Sequence, residues 1–159
     1  MKIYLATDHA GFELKNKLKD YLSSLGHEVI DKGPFEYNEN DDYPDFIRLA
    51  AEAVASEVGS FGIILGGSGQ GEAMCANRIK GARAAVYYAE TGFQTDIAGK
   101  TIDMIDSVRI HNNANILSIG ARFLSQDEVV RAVTKFIETP FSNEERHIRR
   151  IEKLDKQNE

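Results

Sequence analysis

The stretch Phe61-Gly62-Ile63-Ile64-Leu65-Gly66-Gly67-Ser68-Gly69-Gln70-Gly71-Glu72-Ala73-Met74-Cys75-Ala76-Asn77 decides the fold. Its aliphatic opening predicts a buried strand over 61–65, its glycines a turn, and its alanine-rich end a helix. Outward in both directions the same alternation repeats. Ile3–Ala6 and Glu28–Asp31 predict strands before it, Ala84–Tyr88 and Asn115–Ile119 strands after it. Between the first two, Leu14, Leu18, Tyr21, Leu22 and Leu25 recur at helical spacing and Gly26 supplies a stop. Lys32–Asp42 reads as a loop, and Pro44 opens a second helix with Phe46, Leu49, Ala50, Ala53 and Val54 as its inner face. Glu90–Ile105 has helical character, and the S-x-x-E boxes Ser125–Glu128 and Ser142–Glu145 start two more helices. The expectation is an α/β, Rossmann-like fold: one doubly wound, mostly parallel five-stranded sheet with helices on both faces.

Composition sets outer limits. A chain of 159 residues supports one core and a single domain over 1–159. With 19 lysines and arginines against 25 aspartates and glutamates the net charge is −6, which disfavours a nucleic-acid surface. Seven of the acids fall in Pro34–Glu57 against Arg48 alone, so the rest of the chain is nearly balanced. No apolar run approaches the ~20 residues of a membrane span, and the start MKIYLATDHAG turns polar too early for a signal peptide. One cysteine forms no internal disulfide. The expected setting is cytoplasmic, with no membrane partner.

In an open α/β sheet, ligands gather beyond the carboxyl ends of the strands. Two polar groups follow strands on one rim, Thr7-Asp8-His9 and the turn Gly66–Glu72, and a third, His111-Asn112-Asn113, stands just before the strand at 115–119. A glycine turn entering a helix favours an anion. No lysine follows Gly71, which excludes a P-loop, and residue 72 is glutamate rather than the glycine of a dinucleotide fingerprint. A carboxylate there suits a base beside an anion formed during reaction. Each piece also has an ordinary explanation. Glu72 complements a helix dipole, Asp8 and His9 cap a helix, His111-Asn112-Asn113 makes a turn, and Cys75 fills space as a small thiol. Arg146 and Arg150, four apart on the last helix, either pair with Glu144, Glu145 and Glu152 or clamp a phosphate.

Seven motifs stand in order along the chain: D-H-A-G-F-E-L-K at 8–15, D-Y-P at 42–44, G-G-S-G-Q-G-E-x-x-x-A-N at 66–77, G-A-R at 81–83, H-N-N-A-N at 111–115, I-G-A-R at 119–122 and R-H-x-R-R at 146–150. Together they resemble the ribose-5-phosphate isomerase B and galactose-6-phosphate isomerase family, from about Ile3 to Leu154. The resemblance implies a metal- and cofactor-independent aldose–ketose isomerase that interconverts ribose 5-phosphate and ribulose 5-phosphate in the pentose phosphate pathway. It implies a homodimer, in some members a tetramer, with the helix from about residue 142 at or across the interface.

One branch of the family carries a cysteine base at the start of the glycine turn. Gly66 stands there and Glu72 at the other base position, so the chain resembles the glutamate branch. By resemblance Glu72 moves the proton, while Ser68 and the N–H groups of Gly67–Gly71, Gly69 among them, stabilise the enediolate. His111, with Asn112 and Asp8, opens the sugar ring. His9, Arg146 and Arg150, with Arg122 a further candidate, hold the phosphate, and Tyr43 lines the pocket. Glu90–Ile110 is longer than the family's usual segment. It leaves open an isomerase for a six-carbon sugar phosphate beside the pentose reading. The architecture alone also admits a non-catalytic sugar-phosphate-binding protein or a flavodoxin-like carrier.

Overall fold

The strands form where aliphatic residues alternate between two apolar layers. In the computed structural model, which describes residues 1–156, five parallel strands carry the fold: β1 (Lys2–Ala6), β2 (Glu28–Asp31), β3 (Phe61–Gly66), β4 (Ala84–Tyr87) and β7 (Ile116–Gly120). Their order is β2-β1-β3-β7-β4. Ile3, Leu5, Ile63, Leu65, Leu117 and Ile119 face one layer, built from helices α1 (Phe12–Ser24) and α5 (Gln126–Glu138) through Leu18, Leu22, Val129, Val133 and Phe136. Tyr4, Ala6, Ile64 and Ile116 face the other, built from α2 (Tyr43–Ser56) and α3 (Gln70–Ala76). Burial on both faces is what a parallel sheet requires. A fully enclosed Ile or Leu contributes about 1.5–3 kcal/mol.

From β1 the chain steps outward to β2 and then returns to the other side of β1 to form β3. The strand order therefore reverses between β1 and β3, and a crevice opens beyond their carboxyl ends. Gly26 (φ 83°) ends α1, with the His27 N–H reaching the Leu22 carbonyl at 3.2 Å. Ser125 and Glu128 cap α5 reciprocally, as the sequence predicts.

Four local expectations are corrected. Glu90–Ile105 is not a helix: it holds the hairpin β5 (Gln94–Thr95) and β6 (Thr101–Ile102), and α4 runs later, over Met104–Asn112. Asp96 Oδ1 accepts from the N–H groups of Ala98 and Lys100 at 2.9 and 2.8 Å, and Gly99 sits at φ 80°. This local bonding outcompetes a helix. The α4 start is a capping box of Asp103 and Asp106. On α2 the buried stripe is Ile47, Ala50, Ala51 and Val54, a slight rotation that leaves Leu49 about half exposed.

The last helix, α6, spans Glu145–Lys156 rather than starting near 142. Ser142 Oγ bonds His147 Nδ1 (2.8 Å) and the Glu144 N–H (3.3 Å), so it shapes the approach to α6 instead of making a box with Glu145. Cys75, expected to be buried, is half-buried, and burial raises its thiol pKa. Among the described residues no helix is long and apolar enough to cross a membrane.

Candidate active site

Two strand ends build the first part of the site. Thr7 Oγ1 donates to the Leu65 carbonyl at 2.9 Å, tying the tip of β1 to β3. Gly11 lets them approach, since a Cβ there would lie 2.3 Å from Thr7 Oγ1. Asp8, nearly buried, accepts from the Ala10 N–H at 2.9 Å and caps a single 3₁₀ turn, His9–Gly11. His9 is anchored twice to Asp41 Oδ1, through its backbone N–H (3.0 Å) and through Nδ1 (2.8 Å).

Gly69 takes a left-handed conformation (φ 76°) at the α3 N-cap, and Ser118 Oγ donates to its carbonyl at 2.6 Å. Glu72, in the first turn of α3, is only 4% exposed. Its carboxylate occupies the space that any side chain on residue 66 would need: a Cβ on Gly66 would sit 1.9 Å from Glu72 Oε1. Burial raises the Glu72 pKa above the ordinary carboxylate range. Its own backbone N–H opposes that shift, and the Asp8 charge adds to it. A buried carboxyl poised upward is the form a general base takes near neutral pH.

Tyr43 packs against Gly71, its Cζ and Oη each 3.0 Å from where a Cβ would be. The Arg122 guanidinium lies 3.4 Å from the corresponding point on Gly67, and the Arg122 N–H donates to the Gly67 carbonyl at 3.2 Å. Asp8, His9, Tyr43, the glycine turn with Ser68, Glu72 and Arg122 are thus gathered around the switch between β1 and β3. Asp8, His9 and Asp41 bring three ligand-type atoms within 4.8 Å of one another, but His9 Nδ1 is already engaged by Asp41.

The remaining predicted residues form a second group. His111 and Asn112 end α4 and, with Arg146, His147 and Arg150 of α6 and the hairpin residues Asp96 and Ile97, line one cavity. No hydrogen bond, ion pair or ring contact joins this group to the first among the described residues. Arg146 pairs with Glu144 at 2.8 Å, on a partly exposed surface where such pairs contribute little. The turn after α4 is fixed by Asn113 (φ 45°) and by Arg109, whose guanidinium donates to the carbonyls of Ala114 (2.5 Å) and Thr139 (3.0 Å) and to Asn113 Oδ1 (3.1 Å). Arg109 is buried over the rings of Phe61 and Phe136.

His147, also buried, lies 4.7 Å ring to ring from His111, and burial lowers its pKa. Asp41, Arg109 and His147 carry no role legible in the sequence alone. The Asp41-Asp42 pair ahead of Tyr43-Pro44 was the one local sign available for Asp41.

Comparison with known proteins places the chain in a family. The family model described as Ribose/Galactose Isomerase matches residues 3–154. Ribose-5-phosphate isomerase B of Mycobacterium tuberculosis (strain ATCC 25618 / H37Rv) is 40% identical over 154 residues, covering 97% of this chain and 88% of that protein. The crystal structure of ribose-5-phosphate isomerase B from Mycoplasma genitalium with bound ribulose-5-phosphate superposes with a TM-score of 0.87 at 34% identity, over 99% of this chain and 95% of the other. The Thermotoga maritima ribose 5-phosphate isomerase gives 0.83 at 40% identity, over 98% and 97%. The chain therefore belongs to the ribose/galactose isomerase family.

Proposed function

We propose that the chain interconverts D-ribose 5-phosphate and D-ribulose 5-phosphate through an enediolate. The observation that carries this reading is the Glu72 carboxylate, buried at the end of β3 in the space left by Gly66, beside Asp8. Glu72 takes the proton from C2 of the open-chain aldose, and the electrons of that C–H bond form the C1–C2 double bond of the enediolate. A proton passes from the C2 oxygen to the C1 oxygen, and Glu72 returns its proton to C1, leaving the carbonyl at C2. Ser68 and the N–H groups of Gly67–Gly71 stabilise the oxyanion, a contribution of about 3–4 kcal/mol for one such donor in comparable sites.

Asp8 and His111 with Asn112 open the ring. His9, Arg146, Arg150 and Arg122 receive the phosphate, and Tyr43 closes the pocket. Because His111, Arg146 and Arg150 stand apart from Glu72 within one chain, the working unit is a homodimer in which α6 and the end of α4 complete the partner's site. The setting is cytoplasmic and the step belongs to pentose phosphate metabolism.

The test is ketose formation from ribose 5-phosphate in the presence of EDTA, with allose and galactose 6-phosphates alongside. The highest kcat/KM is expected for the pentose, unchanged by EDTA. A higher kcat/KM for a six-carbon substrate overturns the pentose assignment, and binding without turnover overturns the enzyme. Mixing inactive Glu72→Gln and His111→Ala chains tests the shared site. In random heterodimers one site in two regains both residues, so activity returns to about a quarter of wild type. No recovery after subunit exchange returns the site to a single chain.

A further inference from the structure

We propose that Asp41 is a positioning residue for phosphate recognition: it holds His9 as a doubly protonated ring, with Nδ1–H on the Asp41 carboxylate and Nε2–H directed to the substrate's phosphate. The inference rests on the reading of His9 as a phosphate ligand and extends it to a residue 32 positions away that no motif marks.

Three observations carry it. The Asp41 side chain is 5% exposed, yet it lies in a loop that is otherwise largely exposed from Phe35 to Asp42. One of its oxygens, Oδ1, takes both the backbone N–H and Nδ1 of His9, which fixes the ring at two points. The other, Oδ2, is buried without a hydrogen-bond partner, a costly state for a group whose position serves nothing.

The donor inventory then dictates the state of the ring. An ionised carboxylate only accepts, so Nδ1 carries a proton. If Nε2 were bare it would present a lone pair to the phosphate and be repelled. A phosphate contact therefore requires protons on both nitrogens, and the Asp41 carboxylate accepts the one on Nδ1. Asp8 itself is occupied by the Ala10 N–H, and the ligand-type atoms of Asp8, His9 and Asp41 fall within 4.8 Å. The ring is still 28% exposed, which leaves an edge open to a ligand. The same bond sets the direction of the ring, so a phosphate arriving at the crevice meets a donor already aimed.

The test is a double-mutant cycle on KM for ribose 5-phosphate and on inhibition by inorganic phosphate. His9→Ala is expected to raise KM and the inhibition constant of inorganic phosphate about tenfold each, the usual scale for losing a charge-assisted hydrogen bond. Asp41→Asn keeps an oxygen for both donors but removes the charge, and a several-fold rise in KM is expected from it. In the His9→Ala background the same substitution should add nothing. An Asp41→Asn effect of equal size with and without His9, or one on kcat instead of KM, shows that Asp41 only anchors the loop and overturns the proposal. An unchanged KM in His9→Ala removes His9 from phosphate binding, a distinct result that takes the proposal with it. Nitrogen NMR of the His9 ring in the wild-type protein saturated with inorganic phosphate needs no variant. Two protonated ring nitrogens are expected, and one bare nitrogen overturns the assignment.

Discussion

The crevice at the ends of β1 and β3 and the helix-borne group around His111 are built on different principles. In the first, backbone and glycines do the positioning: Thr7 is tied to Leu65, Gly11 admits the close approach, and Gly66 makes room for Glu72. The Glu72 carboxyl is buried at the end of β3, in the space beside Gly66. In the second, side chains do the positioning: Arg109 fixes the turn after α4, Ser142 holds His147, and the His147 ring packs at a tilt against His111. There Arg150 remains exposed. A base whose chemistry depends on burial belongs in the rigid half.

The sharpest way to break the contrast is Glu72→Gln. Loss of the base should lower kcat by about 10²–10⁴-fold, the usual range for one general acid–base group. Stability should move the other way. Because burial raises the Glu72 pKa, its neutral form is favoured on folding, and its stabilising contribution is complete below the unfolded-state pKa and is lost as pH rises through the higher folded one. The Tm advantage of Glu72→Gln over wild type is therefore expected to widen from about pH 4 towards neutrality. Equal Tm values at pH 5 and pH 8 would show that burial does not burden the carboxylate. The acid limb of kcat/KM should likewise lie above the ordinary carboxylate range.

Gly66→Ala probes the backbone half by shape alone. The new methyl would fall 1.9 Å from Glu72 Oε1, so the carboxyl must move. A displacement of that order costs about 10²-fold in rate. Steady-state kinetics should show the loss in kcat with the fold intact by circular dichroism, and wild-type kcat would mean that Glu72 acts from another position.

Arg109→Met addresses the side-chain half. It leaves the carbonyls of Ala114 and Thr139 and the Asn113 side chain without their donor, and a loss of about 3 kcal/mol in unfolding free energy is expected. Denaturant titration reads this directly. Activity per folded molecule should fall as well, because the turn that aims His111 loosens. A stability loss without an activity loss would separate Arg109 from the site.

The same contrast governs what the sequence reveals. Strand, glycine turn and Glu72 are neighbours along the chain, so composition and spacing suffice to place them. The two-layer sheet follows from the alternating aliphatics for the same reason. Asp41 escapes because its partner His9 is 32 residues away, inside a loop whose charges otherwise face solvent. Arg109 escapes because an arginine looks like a surface residue until Phe61, Phe136 and the Thr139 carbonyl close around it. The hairpin at 94–102 reads as helix in the sequence because its decisive bonds, from Ala98 and Lys100 to the Asp96 side chain, are not a matter of apolar period. Gly66 was legible as the absence of a cysteine, but its steric role depends on where α3 puts the Glu72 carboxyl.

The smallest expected effect lies at the other end of the helix that carries His111. Asp103 caps α4, accepting from the Asp106 N–H at 2.9 Å, and Lys135 of α5 bridges both aspartates. Burial would raise the Asp103 pKa, but the bonds from Lys135 and the Asp106 N–H outweigh it and hold the pKa below the ordinary range. Asp103→Ala should therefore cost about 1 kcal/mol at pH 7. A depressed folded pKa gives stability that is present above the unfolded value and lost as pH falls through the folded one. The difference between variant and wild type should accordingly shrink below about pH 4. A gap independent of pH would mean that the aspartate contributes packing and not charge. Since the cap lies two turns from His111, KM and kcat should hardly change, which distinguishes an element that merely forms α4 from Arg109, which holds the turn at its His111 end.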